Sequence, residues 1–225
     1  KNHGMVMYVD WSGSMSGILQ DTVEQLLVLV EFCRKVNIPY EVYAFSSNEY
    51  CPFEDYYSPE AEAFRNKQSE GRWNQDRDTD CTPHSFALYN FLSSKLNKRD
   101  YAEALDNLWM LTYAQSRYGH SHSPRCLSLG CTPLNEAIVC AMDMVPAFQQ
   151  ANGIEIVNTV FLTDGDGHGM IGRSYRGYGK TKQFVTDKKT KKTYDITRGE
   201  TNGLLNMLRD RTGTNLIGIR LHDSN

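Results

Sequence analysis

Five oxygen-bearing side chains mark where this chain could do chemistry. In "VMYVDWSGSMSG" (6–17) an apolar run ends at Asp10, and Ser12 and Ser14 follow at alternate positions. Thr132 opens "TPLNEAIVCAMDMV" (132–145), and Asp164 closes "IEIVNTVFLTD" (154–164). Two carboxylates and three hydroxyls suit a hard divalent cation. Mg²⁺ takes oxygen ligands in octahedral geometry at about 2.0–2.1 Å and usually keeps several waters. Mn²⁺ or Ca²⁺ would accept the same donors. Hydroxyls are neutral, so a cation held largely by them keeps much of its charge and attracts an anionic oxygen from outside. A carboxylate on a protein partner is the natural sixth ligand.

Such a set works only if the fold gathers it. The runs 4–10, 40–46 and 154–164 read as buried parallel strands, and 215–221 as a fourth. Helical patterns cover 17–36, 132–145 and 200–211. This alternation predicts an α/β fold, with a mostly parallel central sheet flanked by helices. Ligands of open parallel sheets bind beyond the carboxyl ends of the strands. Asp10 and Asp164 end two of those strands, and Thr132 starts the helix leading into the second, so all three segments reach one edge. Each residue also has a plain reading. Thr132 before Pro133 fits a helix N-cap followed by proline at the first helical position. Ser12–Gly13–Ser14 and Asp164–Gly165 fit ordinary turns. Together, at matching topological positions, those readings require a coincidence.

The bulk properties narrow the classes. The chain has 225 residues, 40% of them hydrophobic, which suits one domain carrying insertions better than two domains. A net charge of −3 argues against nucleic acid or an anionic membrane surface as partner. No apolar stretch approaches the roughly 20 residues of a membrane span. The chain begins at Lys1, as expected of a fragment of a longer protein. Cysteines at 33, 51, 81, 126, 131 and 140 are too few for a disulfide scaffold, which favours a reducing, cytoplasmic setting. Cys33 and Cys140 fall in apolar helix patterns and read as small buried hydrophobes.

Two regions exceed a minimal α/β unit. Residues 47–128 read as an inserted subdomain: an early polar part that looks like loop, then two helix patterns. In the second of these, Tyr101, Leu105, Leu108, Trp109 and Thr112 recur at helical spacing, and its aromatic residues are expected in the core. Residues 181–197 read as a β-hairpin. Its tip, with Lys188, Lys189, Lys191 and Lys192, is expected to be a solvated turn; nothing aromatic is interleaved to stack on bases.

"DWSGSM" resembles the D-x-S-x-S signature of the von Willebrand factor A family. "GCTPLNEAI" is similar to that family's threonine motif and "FLTDGD" to its last aspartate motif, in the family order. The resemblance spans the chain apart from 47–128 and 165–198. It implies a Rossmann-like domain with a metal-ion-dependent adhesion site. Ser12, Ser14 and Thr132 would then bind the metal through their hydroxyls, and Asp10 and Asp164 mainly through bound waters. The "TPLNEAI" helix start is similar to intracellular members such as the cobalt chelatase subunit and phage-encoded proteins. That placement implies a MoxR-type AAA+ ATPase as companion, in a bacterial or phage-infected cell.

Other motifs carry less. Gly167, Gly169 and Gly172 match a dinucleotide fingerprint, but "RSYRGYGK" follows where an apolar helix should. "DGDGHG" begins like a calcium loop, yet its twelfth position is Tyr175 and not Glu. Asp164 and Asp166 also fit the nucleophile and acid/base of a haloacid-dehalogenase phosphatase, although that family sets them on the first strand. Cys81 with His84, and His122 with Cys126, could supply two ligand pairs for zinc, but neither pair has a finger pattern around it; His120 lies beside the second. The favoured expectation is therefore a binding module that does not catalyse. A metal-dependent phosphatase and a structural, phage-type protein with a vestigial site are the alternatives.

Overall fold

The structure is a computed structural model that describes residues 2–48, 53, 55, 57–69, 85–115, 124–165, 167–170 and 182–222. The strands are β1 (His3–Asp10), β2 (Tyr40–Ser46), β3 (Ala87–Ser93), β4 (Ile156–Thr163), β5 (Phe184–Thr186), β6 (Thr193–Asp195) and β7 (Asn215–Arg220). The helices are α1 (Leu19–Lys35), α2 (Pro59–Ser69), α3 (Lys98–Gln115), α4 (Leu134–Asn152) and α5 (Glu200–Thr212). The central sheet has the order β3-β2-β1-β4-β7. β1 pairs parallel with β2 and β4, and β4 pairs parallel with β7. β3 pairs antiparallel with β2. This is a mixed α/β fold with a mostly parallel sheet flanked by helices.

Side chains on a strand alternate between its two faces, and β1 shows why both faces are covered. Val6 and Tyr8 pack with Ala137, Ile138 and Ala141 of α4 and with Leu204 and Leu208 of α5. Met7 and Val9 pack on the other face with Leu19, Val23, Leu26 and Val30 of α1. A strand buried on both sides must be apolar throughout, which is why β1 reads as a continuous hydrophobic run.

The 47–128 stretch differs in three respects from the pattern read in its sequence. It supplies β3, where no strand is expected; only Leu92 of β3 is fully buried, so the strand lacks a clear period-two signal. Its early part, expected as loop, contains α2. Its α3 packs beside α1: Tyr101 donates to Glu31 at 2.6 Å, and the Arg34 guanidinium lies 3.5 Å from the Tyr101 ring centre. Tyr101, Leu108 and Thr112 are buried as expected, but Trp109 is 40% exposed, so helical spacing alone overstated the inward stripe.

β5 and β6 form the expected hairpin. Two tip lysines are paired: Lys189 meets Asp143 of α4 at 3.1 Å, and Lys192 meets Asp210 of α5 at 2.9 Å. Cys33 is buried and Cys140 half-buried. Among the described residues, no helix is long and apolar enough to cross a membrane.

Trp11 links the end of β1 to the loop before α4. It is fully buried, its indole N–H donates to Leu127 O at 2.7 Å, and its ring meets Phe91 edge-on at 5.0 Å. Its own N–H donates to Phe45 O, and its carbonyl accepts from the Gly130 N–H. Trp11→Phe removes the indole donor and part of the filled volume, so it is expected to cost about 2–4 kcal/mol of folding stability. Urea denaturation followed by far-UV circular dichroism checks this.

Candidate functional site

The site begins where β1 runs out. Beyond Asp10 the chain leaves the strand, and Ser12 is extended, with φ −109° and ψ 162°. A 3-10 turn over Gly13–Gly17 leads into α1. The extended Ser12 forms a bridge with Gly130, sealed by Gly13 N–H donating to Gly130 O at 2.8 Å. The loop that carries Thr132 is thereby laid alongside the serine turn.

Hydrogen bonds connect three of the five candidate residues, and the nearby Ser12 lowers the pKa of Asp10. The Ser12 and Ser14 hydroxyls lie 3.0 Å apart, and Ser14 donates to Asp164 Oδ1 at 3.0 Å. Asp10 and Ser12 are buried. Thr132 lies two residues beyond Gly130, 9% exposed, with its carbonyl accepting from His168 N–H at 3.4 Å. Its hydroxyl makes no hydrogen bond among the described residues. Thr132 is also not the helix cap its sequence suggests. Helix α4 starts at Leu134 with Pro133 in the cap position, and no side chain caps it. The plain structural role for the threonine hydroxyl is therefore missing.

The Asp10 carboxylate carries the site's electrostatic tension. Thr163 donates to its Oδ2 at 2.6 Å, but Oδ1 is buried without a hydrogen-bond partner among the described residues. Burial pushes its pKa up to about 6; bonds from Thr163 and Ser12 oppose the rise, and the nearby Asp164 charge adds to it. A buried carboxylate oxygen with no donor is expensive. A cation or an ordered water is the kind of group that would satisfy it.

The donor set fits a hard cation in type: carboxylate and hydroxyl oxygens, of which Ser12, Ser14 and Asp164 are in hydrogen-bond contact. Among the described residues no group of three or more His, Cys, Asp or Glu comes together. Of the candidate zinc ligands, Cys81, His84 and His122 lie outside the described residues, and Cys126 is a half-buried free thiol. Asp166, the acid/base of the phosphatase alternative, also lies outside them.

Several supporting residues escape a motif search. Thr163 bonds Asp10 directly. At the end of β2, Ser47 Oγ accepts from Cys131 N–H at 2.7 Å, and the Asn48 side chain donates to Ser128 O at 2.6 Å. Gly130 is required by this clamp, because a Cβ there would sit 2.6 Å from Ser47 Oγ and 2.7 Å from Ser46 Oγ. The one available signal was positional: "FSSN" ends a strand at the same sheet edge.

No protein-family model matches the chain, and no curated protein does. Among solved structures, the pilus adhesin RrgA from Streptococcus pneumoniae is similar over 74% of this chain and 20% of its own length, at 15% identity and a TM-score of 0.41. An uncharacterised membrane-spanning protein from Vibrio fischeri aligns over 99% of this chain and 93% of its own, at 14% identity and a TM-score of 0.18. The chain thus spans only a fifth of the adhesin's length.

The buried Asp10 charge has a consequence for stability. A carboxyl whose folded pKa lies above its ordinary 3.8 favours the fold when protonated. That contribution is complete below about pH 4 and disappears as pH rises through about 6. In chelator at pH 7.5, Asp10→Asn is expected to raise stability by about 1–3 kcal/mol, because it removes an ionised group from a dry site. At pH 4 the gain should vanish. Thermal unfolding of both proteins in EDTA across this range is the measurement.

Proposed function

We propose that this chain is a divalent-cation-dependent protein-binding module of the von Willebrand factor A type, whose metal site captures a carboxylate of a partner. One observation carries the reading: the fully buried Asp10 carboxylate, with an unpaired oxygen, heads a chain of hydroxyls that ends on a second carboxylate, Asp164. A merely structural aspartate at a strand end would be paired or exposed.

In this reading Ser12, Ser14 and Thr132 hold the ion through their hydroxyls, and Asp10 and Asp164 hold its waters. The bound ion would supply a centre of positive charge that accepts an Asp or Glu oxygen from the partner. Asp10 lies beside Ser12, whose hydroxyl is 3.0 Å from that of Ser14. Asp164 holds Ser14 from just beyond the end of the neighbouring strand β4. Thr132 offers a hydroxyl that the fold does not otherwise use.

Isothermal titration with Mg²⁺ and Mn²⁺, followed by capture of an acidic peptide with and without EDTA, tests the proposal. Wild type should bind one ion and retain the peptide only when metal is present. Asp10→Ala and Thr132→Ala should each lower metal affinity by at least about tenfold. Because Thr132 does not cap α4, Thr132→Ala should leave the chelator-treated protein folded, with an unchanged circular dichroism spectrum. Metal binding equal to wild type in both variants would sink the assignment.

A further inference from the structure

The loop after Asp164 is tied down by groups that touch none of the five candidate ligand side chains. We infer that Asn135 and Glu200 are positioning residues that set the separation of Thr132 and Asp164; this rests on the metal-binding reading above.

The tie runs through one amide and one carboxylate. Asn135, in the first turn of α4, is 1% exposed. Its Nδ2 donates to His168 O at 2.8 Å and to Glu200 Oε2 at 3.3 Å, and its Oδ1 accepts from Thr201 Oγ1 at 2.7 Å. Both amide protons are thus used, and no other side chain offers two donors and an acceptor in so short a reach. Glu200 Oε2 also accepts from Met170 N–H at 2.7 Å. His168 N–H in turn reaches Thr132 O. The segment 167–170 is therefore bonded through His168 to Thr132 and to Asn135 of α4, and through Met170 to Glu200 in the first turn of α5. Its approach is close: a Cβ at Gly167 would lie 3.0 Å from Leu134 Cβ and 3.1 Å from Asn135 Oδ1. Asp164 hangs from one end of this segment, and Thr132 stands three residues before Asn135. Releasing the segment lets the two ligands separate without altering either one.

The test uses the full chain as wild type, N135A, E200A and E200Q. Mg²⁺ affinity is measured by calorimetry, and amide hydrogen exchange across 164–170 is measured in chelator. E200A should weaken Mg²⁺ binding about fivefold, the scale of one lost hydrogen bond, and should speed exchange at Met170. E200Q keeps an oxygen for Met170 N–H and should stay close to wild type in both readouts. That rescue separates positioning from a general loss of stability. N135A should resemble E200A; Asn135 is buried, so the Glu200 pair decides if N135A folds poorly. If E200A speeds exchange but leaves Mg²⁺ affinity at the wild-type value, the inference is overturned and the metal site stands. If E200A and E200Q weaken binding equally, the acceptor role is overturned. If wild type itself binds no Mg²⁺, the metal reading fails, and this inference with it.

Discussion

A carboxylate buried at the end of a central strand is the constraint around which this site is arranged. Asp10 follows an unbroken apolar run on a strand covered on both faces, so its side chain leaves the core with little access to water. Ionised carboxylates in such places need partners. Thr163 meets one oxygen, and the other is left open. The surrounding elements are then placed by backbone bonds that do not involve the carboxylate at all: β1 to β2 and β4 in parallel register, and the serine turn to Gly130. The fold holds the carboxylate where it is costly, and the hydroxyls close by are neutral groups that cannot discharge it.

This arrangement separates what stabilises the fold from what the site requires. The apolar layers on the two faces of the sheet supply the burial that folding depends on. They end one residue before Asp10 on β1 and one before Thr163 on β4. The polar cluster begins at that boundary. At the carboxyl edge Asp10 and Thr163 set polar side chains against one another, and ligands of parallel sheets generally sit at that edge.

The parts legible in the sequence were those governed by local pattern. β1, β2 and β4 are apolar because they are buried, and each was readable as a run; β7 was readable too, but it is an edge strand and mostly exposed, not the buried strand its sequence suggests. The order of the site's segments followed from that topology, so Asp10, Ser12, Ser14 and Asp164 could be grouped before any distance was known. β3 was not legible: an edge strand with one fully buried residue has neither a continuous run nor a clean alternation. Trp109 misled because helical spacing gives the width of a stripe but not where its edge falls against α1. Thr132 misled in the opposite sense. Its neighbour Pro133 makes a convincing cap pair, yet α4 begins one residue later. Ser47 and Glu200 carry no local signature, and Thr163 and Asn135 sit inside quoted motifs with no role that spacing assigns, because the partners lie 30 to 153 positions away.

Those long-range partners explain how a loop outside the regular elements is well defined. The stretch from Ser128 to Thr132 has no strand or helix of its own to fix it. It is gripped on one side by Ser47 and Asn48 at the end of β2, and on the other by the segment that follows Asp164. Gly130 lets the first grip close, and Gly167 lets the second. Each grip is a pair of hydrogen bonds worth only about 1 kcal/mol apiece in net stability, so neither holds the fold together. Their effect is geometric. A side-chain hydroxyl on an unclamped loop would spend most of its time out of reach of Ser12 and Ser14, and the entropy of ordering it would be charged against every binding event. Clamped, that cost is met once, when the chain folds.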